Sequence, residues 1–267
     1  MIDSHLHSKY SHDGQAEIDD IVETALSLGL KYIAITDHID RDYLFVGYDF
    51  FAQIDLSAYI EAVLTAKKKY KNKITIALGA ELGYLPEANN SYLSELKGIP
   101  FDVILNSTHT VLGHDMYFPP FFEVAGSQEN GYREYLKAVR SSLDVPYPYD
   151  IIAHLGYVQK NSPFPNNDLR YADYNEQFDD LLKTIIAYDK CLEVNTKINI
   201  RDAVTMPNYD ILQHYFDLGG RKISFGSDAH RLPNIADKFK STAAKMKEIG
   251  FEGFTYYINH QPYLDRF

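Results

Sequence analysis

The chain has 267 residues, a net charge of −11 and a hydrophobic fraction of 45%. This length suits one β/α barrel of about 250 residues, and the apolar fraction can supply its core. The charges are spread along the chain without a basic block, which disfavours a protein whose main task is to bind nucleic acid. The single cysteine, Cys191, lies in an apolar run, so we expect a buried thiol and no intrachain disulfide.

The N-terminal segment has no basic stretch followed by an apolar one, and no apolar run reaches the length of a membrane span. A cleaved leader would also remove His5 and His7, a closely spaced histidine pair near the N-terminus. We therefore predict a cytoplasmic protein without a membrane partner and with Met1 at its mature terminus.

Short apolar runs recur along the chain, and most of them end in a side chain that binds divalent metals. Six runs have the length and β-branched content of buried strands, and they span residues 1–4, 32–36, 75–80, 102–108, 150–153 and 223–227. In the same order, they lead into His5 and His7, Asp37 and His38, Glu81, His109, His154, and Asp228 and His230. A seventh run, residues 191–194, ends at Asn195 and Thr196.

Amphipathic helical patterns lie between the runs. They span residues 18–26, 59–70, 131–143, 178–188, 209–218 and 234–249. The alternation of strand and helix implies a parallel sheet, so we predict an α/β fold with a closed or nearly closed seven-stranded barrel. We expect one domain over residues 1–267. Three long connections, residues 39–56, 110–131 and 156–174, are predicted as irregular walls and lids of a site.

Nine side chains at or near the predicted strand ends have the chemistry of metal ligands. Residues i and i+2 of a strand face the same side, so His5 and His7 can reach one ion, and Asp228 and His230 share a face. The other five are His12, His38, Glu81, His109 and His154. Parallel strands bring such ends to one rim, and buried imidazoles without partners are costly. We therefore predict a metal cluster.

The order of these motifs resembles the PHP family, whose name joins polymerase and histidinol phosphatase. The resemblance spans the whole chain: an initial H-x-H, the loop His12-Asp13-Gly14, a T-D-H on strand two, Glu81, two single histidines and a closing D-A-H. Residues 107–111, 116–118 and 121–123 are most similar to the stand-alone histidinol-phosphatase branch. The resemblance implies a distorted, TIM-like (β/α)7 barrel that holds up to three divalent metal ions.

Carried over residue by residue, the resemblance implies three metal sites with one bridging carboxylate. The first ion would be bound by His5, His7, Glu81 and Asp228, the second by Glu81, His109 and His154, and the third by His12, His38 and His230. Because no ligand is a thiolate, zinc, manganese and iron all suit two or three such sites. Three carboxylates beside the ligands are either orienting groups or plain solvated ones: Asp3, Asp13 and Asp37.

Clustered divalent ions suit the hydrolysis of a phosphate monoester. They lower the pKa of bound water and neutralise phosphoryl charge, and a metal–metal distance of about 3.5–4 Å suits in-line attack on phosphorus. We expect a hydroxide bridging the first two ions, which share Glu81, to be the nucleophile. Asp228 or His230 would relay a proton to the leaving oxygen.

The anionic phosphate also needs positive charge from the protein. The resemblance points to cationic groups in the loops after strands five and six, here Lys160 and Lys197, with Tyr117 as a hydrogen-bond donor. Arg41 and Arg201 are weaker candidates at the same rim. Loop aromatic residues are predicted to close over a small leaving group, namely Tyr43, Phe45, Tyr48, Phe50 and Phe51.

The resemblance implies a histidinol-phosphatase, a phosphoric monoester hydrolase that converts L-histidinol phosphate to L-histidinol and phosphate in histidine biosynthesis. Glu87, Asp115 and Glu123 are candidate partners for the substrate ammonium group. One alternative is a PHP phosphoesterase or nuclease with another substrate, although a nucleic-acid channel would be basic. The other is a non-catalytic, metal-binding regulatory protein, although its ligand set would be degraded, and here it is complete.

Overall fold

The computed structural model describes residues 1–198 and 204–267. Within them lie eleven strands: β1 (Ile2–Leu6), β2 (Tyr32–Ile35), β3 (Thr75–Gly83), β4 (Val103–Ser107), β5 (Thr110–Val111), β6 (His114–Asp115), β7 (Ile151–Ile152), β8 (Cys191–Asn195), β9 (Ile223–Gly226), β10 (Gly253–Ile258) and β11 (Gln261–Arg266). The helices are α1 (Ile18–Ser27), α2 (Leu56–Tyr70), α3 (Asn89–Glu95), α4 (Pro120–Ala125), α5 (Gln128–Ser142), α6 (Asn175–Ala187), α7 (Tyr209–Asp217) and α8 (Phe239–Ile249).

Seven parallel strands form the barrel, in the spatial order β1-β2-β3-β4-β7-β8-β9. The first and last strands meet at their carboxyl ends, where the N–H of His7 donates to the carbonyl of Ala229 at 3.0 Å. Leu6 and Ala229 are bridge partners at the same point. The predicted α/β barrel is therefore confirmed, and its closure brings the two ends of the ligand motif together.

The amphipathic patterns fold as predicted because each places one apolar face on the sheet. In α1 the buried residues are Ile18, Ile21, Val22 and Ala25, which follow the helical spacing. Ser127 and Asp55 cap α5 and α2 through side-chain oxygens that accept from backbone N–H groups. The predicted helix at 234–249 begins later, at Phe239, because the backbone of Lys238 is left-handed with φ 59°.

One prediction about an irregular segment is wrong, and one hairpin was not predicted at all. The stretch 110–131 contains the hairpin β5–β6, the helix α4 and the start of α5. The C-terminal segment forms a second hairpin, β10–β11, whose turn residues Asn259 and His260 both have positive φ. This hairpin lies against the amino ends of barrel strands, where His260 Nδ1 is 2.8 Å from Asp150 Oδ2.

No helix within residues 1–198 and 204–267 is long and apolar enough to cross a membrane.

Candidate metal centre

The carboxyl ends of the barrel strands surround a cavity of about 670 Å³. Ten of the twelve predicted site residues line it: His12, His38, Glu81, His109, Tyr117, His154, Lys160, Lys197, Asp228 and His230. The remaining two, His5 and His7, are fully buried on β1 and just beyond it. The structure thus brings all twelve to one rim, as the parallel strands predict.

Glu81 is the residue on which two groups of imidazoles converge. Its Oε1 lies 2.7 Å from His154 Nε2 and 3.2 Å from His109 Nε2. The hydroxyl of Ser107 also donates to this oxygen, at 2.6 Å, and so fixes the carboxylate against β4. This oxygen with His109 and His154 forms the second ligand set that the motif implies.

The other oxygen of Glu81 faces the H-x-H pair. Glu81 Oε2 lies 3.0 Å from His5 Nε2 and 3.2 Å from His7 Nε2. Asp228 Oδ1 approaches the same nitrogens, at 3.4 Å from His7 and 3.9 Å from His5. Two nitrogens and two carboxylates therefore point at a common place, in the arrangement that the first ligand set requires.

The third predicted set also comes together, with one donor more than the motif implies. The carboxylate of Asp13 lies 2.7 Å from His230 Nε2 and 3.7 Å from His38 Nε2. The ring of His12 is 5.1 Å from that of His38, measured between centroids. Donor atoms of His7, Asp13, His38 and His230 all lie within 4.8 Å of one another. Asp13 is therefore a further candidate ligand.

The hydrogen bonds around the first set orient the rings of His5 and His7 through their Nδ1 atoms. Ser11 Oγ donates to Asp37 Oδ1 at 2.7 Å, so its lone pair accepts from His7 Nδ1, at 3.0 Å. His5 Nδ1 lies 2.7 Å from Glu193 Oε1, which can only accept when ionised. With Nδ1 protonated, the Nε2 of a neutral ring carries a lone pair, and the Nε2 atoms of His5 and His7 lie 3.0 Å apart. Burial lowers the pKa of His5, but Glu193 and Glu81 outweigh it and raise that pKa well above its ordinary value, so an ion between the two nitrogens would displace a proton from His5.

The charge states also suit metal ions. Burial alone would raise the pKa of Glu81, but the neighbouring imidazoles, His5 foremost, hold it well below its usual range. Burial lowers the pKa of His7 to about 3 and keeps its ring neutral. Burial also lowers that of His109, but Asp40 and Glu81 outweigh it and raise the pKa to about 9. Metal binding at His109 must therefore displace a proton.

Comparison with known proteins assigns the family. A model of the PHP domain matches residues 3–197. The chain belongs to the PHP domain family. The histidinol-phosphatase of Lactococcus lactis is 29% identical over 230 residues, covering 86% of this chain and 84% of that one. The probable histidinol-phosphatase of Clostridium acetobutylicum is 28% identical over 248 residues, 93% of each chain.

Solved structures of the same family support the fold. The crystal structure of the Lactococcus lactis histidinol phosphate phosphatase, complexed with zinc, L-histidinol and phosphate, has a TM-score of 0.86 at 25% identity and covers 98% of both chains. A putative histidinol phosphatase from Listeria monocytogenes has a TM-score of 0.80 at 21% identity and covers 90% of this chain and 99% of that one, and it shows the fold alone. The predicted family resemblance is confirmed.

The three carboxylates beside the candidate ligands of this PHP domain all make contacts near the cluster. Asp3 accepts from the backbone N–H groups of Ser227 and Ala236, each at 3.0 Å, and so ties the end of β9 to β1. Asp37 acts on His7 through Ser11, as described above. Asp13 contacts His230 directly.

Sequence reasoning missed two further buried carboxylates. Glu193 contacts His5, and Asp40 Oδ2 lies 2.9 Å from His38 Nδ1. Glu193 could have been noticed in the sequence, because it is the one charged residue in the apolar run that forms the buried strand Cys191–Asn195. A charge in such a strand needs a partner.

The predicted cationic groups differ in their contacts. Lys197 Nζ lies 3.1 Å from Asp228 Oδ1 and 2.7 Å from His230 Nδ1. Lys160 Nζ lies over the ring of Tyr157, and burial together with the nearby charge of Lys197 lowers its pKa. Tyr117, also predicted, stands at the cavity mouth with 54% of its surface exposed.

Arg41, the arginine candidate that the structure describes, pairs away from this arrangement. Arg41 pairs with Glu95 on α3, Nη2 to Oε2 at 2.7 Å. Arg201 lies outside the described residues.

Proposed function

We propose that this protein is a metal-dependent phosphatase that hydrolyses L-histidinol phosphate to L-histidinol and phosphate, a step of histidine biosynthesis. The observation that carries the proposal is the position of Glu81, between two ligand sets, on the wall of a cavity that also contains two lysines. The Lactococcus lactis relative, with zinc, L-histidinol and phosphate in its crystal structure, supports the choice of substrate.

The residues would hold the ions in the sets described above. His5, His7 and Asp228 complete the first set around Glu81, and His109 with His154 completes the second. The third set consists of His12, His38 and His230, with Asp13 as an additional donor. Zinc, manganese and iron all suit these nitrogen and oxygen ligands. Divalent ions bound there supply an activated water and neutralise phosphoryl charge.

The protein's own cations hold the phosphate. Lys160 and Lys197 line the same cavity, and each can donate to a non-bridging oxygen of a dianionic phosphate. Lys197 is already oriented by its contact with Asp228, so little of its side-chain freedom is left to lose. Tyr117 at the mouth supplies a neutral donor from the opposite loop.

The leaving oxygen needs a proton when its bond to phosphorus breaks. We assign this transfer to Asp228 or His230, since both line the cavity and lie 3.4 Å apart, from His230 Nδ1 to Asp228 Oδ1. The contact between His230 and Asp13 orients the ring from its other nitrogen.

The organic part of the substrate fits the side of the cavity that is lined by Tyr43, Phe51 and Phe118. Asp115 is a buried carboxylate in its wall, and the hydroxyl of Tyr43 donates to it at 2.7 Å. Its other oxygen accepts from the backbone N–H of Tyr117 at 2.7 Å, and each carboxylate oxygen keeps a second lone pair for the substrate ammonium group. The other two acidic candidates, Glu87 and Glu123, are exposed on the surface and away from the cavity lining. We therefore keep only Asp115 as the partner of the ammonium group.

The aromatic loop forms the neighbouring wall. The rings of His12 and Phe51 lie 4.6 Å apart, and those of Tyr48 and Phe118 are stacked at 5.2 Å, between centroids. An imidazole-bearing leaving group can pack against these rings, which also exclude water from the reacting phosphate.

The proposal is tested by phosphate release from L-histidinol phosphate, p-nitrophenyl phosphate and a nucleoside monophosphate, with metal-loaded protein. The Glu81→Ala variant, purified in parallel, measures any contaminating phosphatase. We expect kcat/KM for L-histidinol phosphate to exceed the others by about 10³-fold or more, because only this substrate fills the acidic and aromatic wall. Equal, slow turnover of all three would make the protein a PHP phosphoesterase for another substrate. No turnover above the variant would contradict catalysis.

A further inference from the structure

Glu193 is a buried carboxylate that lies behind the ligand sets. Its side chain is 1% exposed. Oε1 lies 2.7 Å from His5 Nδ1, and Oε2 accepts from the backbone N–H of His154 at 2.6 Å. Burying a charge within a strand is expensive unless it is well paired, so this carboxylate needs both contacts.

Both partners of Glu193 are hydrogen-bond donors. The backbone N–H of His154 is always a donor, and His5 Nδ1 must carry its proton if Nε2 is to bind a metal. A side chain here must accept a hydrogen bond on each of its two terminal atoms to satisfy both donors. An ionised carboxylate does this, since both of its oxygens are acceptors. An amide of the same shape would direct its NH₂ at one of the two donors.

The neighbouring strand leaves room for this carboxylate. A Cβ atom at Gly226, on β9, would overlap Glu193 Oε1 and would lie 2.8 Å from the Cβ of His5. Any side chain at position 226 would therefore push Glu193 and His5 apart. The glycine is required here by close approach.

We propose that Glu193 is a positioning residue that sets the metal-binding tautomer of His5 and fixes the backbone at His154. The inference rests on the metal centre proposed above. His5 belongs to the first ligand set and His154 to the second, so one carboxylate orients a ligand in each. Asn195 connects Glu193 to a third ligand, Asp228. Its Nδ2 lies 3.2 Å from Glu193 Oε2 and 3.4 Å from Asp228 Oδ2.

The test is Glu193→Gln in the full chain, stripped of metal and reloaded with zinc. The amide oxygen accepts from His154, so the amide NH₂ donates to His5 Nδ1 and drives the ring proton to Nε2. We expect zinc affinity, measured by competition with a chelator, to fall about 10- to 100-fold. We also expect ¹⁵N-edited NMR to lose the hydrogen-bonded Nδ1–H signal of His5 that the zinc-loaded wild type shows.

The matched control lies at the other end of the barrel. Asp150 Oδ2 accepts from the backbone N–H of Ile104 and contacts His260 Nδ1, both at 2.8 Å, so it too is a carboxylate between a backbone N–H and an imidazole, with both contacts on one oxygen and far from the cavity. Asp150→Asn should lower thermal stability and leave zinc affinity and stoichiometry unchanged. Wild-type zinc affinity in Glu193→Gln, or an equal loss in Asp150→Asn, would overturn the inference.

A second variant covers the case in which Glu193→Gln does not fold. Gly226→Ala removes no ligand side chain, but its methyl group displaces Glu193 and crowds the Cβ of His5, so it should also weaken zinc binding. Unchanged zinc affinity in Gly226→Ala would count against the positioning role.

The Glu81→Ala variant separates the proposed role of Glu193 from the proposed metal centre. If it keeps both ions, the metal centre itself is wrong, whereas loss of zinc there with full retention in Glu193→Gln rejects only the role of Glu193.

Discussion

The backbone N–H of Asp228 donates to the carbonyl of His5 at 2.9 Å, which joins the last barrel strand to the first at the ligand cluster. Both residues belong to the first ligand set proposed above. That set is complete only when the barrel has closed, so we expect metal binding and barrel closure to be coupled. This coupling links the stability of the fold to the occupancy of the site.

Metal removal should lower stability for that reason. An ion that binds only the folded chain adds about 2.7 kcal/mol to the free energy of unfolding when it is present at 100 times its dissociation constant. We expect a chelator to lower the melting temperature by several degrees, and added zinc to restore it. Calorimetry with and without chelator measures this difference. An unchanged melting temperature in protein shown by elemental analysis to have lost its ions would argue against the coupling.

Glu81→Ala should remove the carboxylate that both ligand sets share. We expect the variant to lose the ions of both sets and phosphatase activity by about 10³-fold or more, since the chemistry depends on them. Circular dichroism should still show a folded barrel. Glu61→Ala, at an exposed position on α2, is the control and should keep both properties. Near-normal turnover in Glu81→Ala would exclude the proposed centre.

Lys160→Ala should weaken phosphate binding without affecting the ions. Loss of a charge-assisted hydrogen bond costs about 1.5–3 kcal/mol, so KM for substrate and the inhibition constant of phosphate should rise about 10- to 100-fold. Lys68→Ala, an exposed lysine on α2, should change neither constant. Steady-state kinetics and elemental analysis of the same preparation test both halves of this prediction. Wild-type constants in Lys160→Ala would remove Lys160 from the phosphate site.

Asp115→Asn should change selectivity, since its carboxylate is proposed to contact only the organic part of the substrate. We expect kcat/KM for L-histidinol phosphate to fall about 10- to 100-fold, the effect of losing a charged hydrogen bond. Turnover of p-nitrophenyl phosphate, which has no ammonium group, should be unaffected. A parallel fall for both substrates would instead indicate that Asp115 supports the cavity structurally.

The contact between His260 and Asp150 should make stability depend on pH. The hydrogen bond to Asp150 raises the pKa of His260 above its ordinary value of 6.5. The stabilisation is therefore complete below about pH 6.5, the pKa in the unfolded chain, and is lost as pH rises through the folded pKa. Its size is at most about 1 kcal/mol, because the pair is partly exposed.

The matching variant is His260→Asn, since asparagine tolerates the left-handed backbone at this turn, φ 61°. The difference in melting temperature between wild type and His260→Asn should be largest at about pH 5.5 and should shrink toward about pH 9. A difference that is constant across this range would show that protonation of His260 contributes nothing.

The sequence predicted the barrel and the place of its ligands because both depend on local patterns. Apolar runs that end in His, Asp or Glu indicate strand ends, and parallel strands bring those ends to one rim. The hairpin β10–β11 was missed, although the run Gly253–Ile258 and its partner Gln261–Arg266 flank a short turn. The local sequence pattern of these two runs does not indicate that the hairpin covers the amino end of the barrel.

The orienting contacts could not be predicted, since they join residues far apart in the chain. His5 and Glu193 are 188 positions apart, and they meet because β1 and β8 lie on either side of β9 after closure. The contact between Asp13 and His230 likewise depends on where a loop crosses the rim. Local periodicity contains no information about such pairs.

The central claim, that Glu81 holds one ion on each of its oxygens, is tested most directly by anomalous diffraction at the zinc edge from crystals of zinc-loaded protein. The account predicts two anomalous peaks beside Glu81, each about 2.0–2.2 Å from a different one of its oxygens, in addition to any peak at the third set. One peak should also be bonded to His5 and His7, and the other to His109 and His154. Zinc peaks that lie elsewhere, with Glu81 free of any ion, would contradict it.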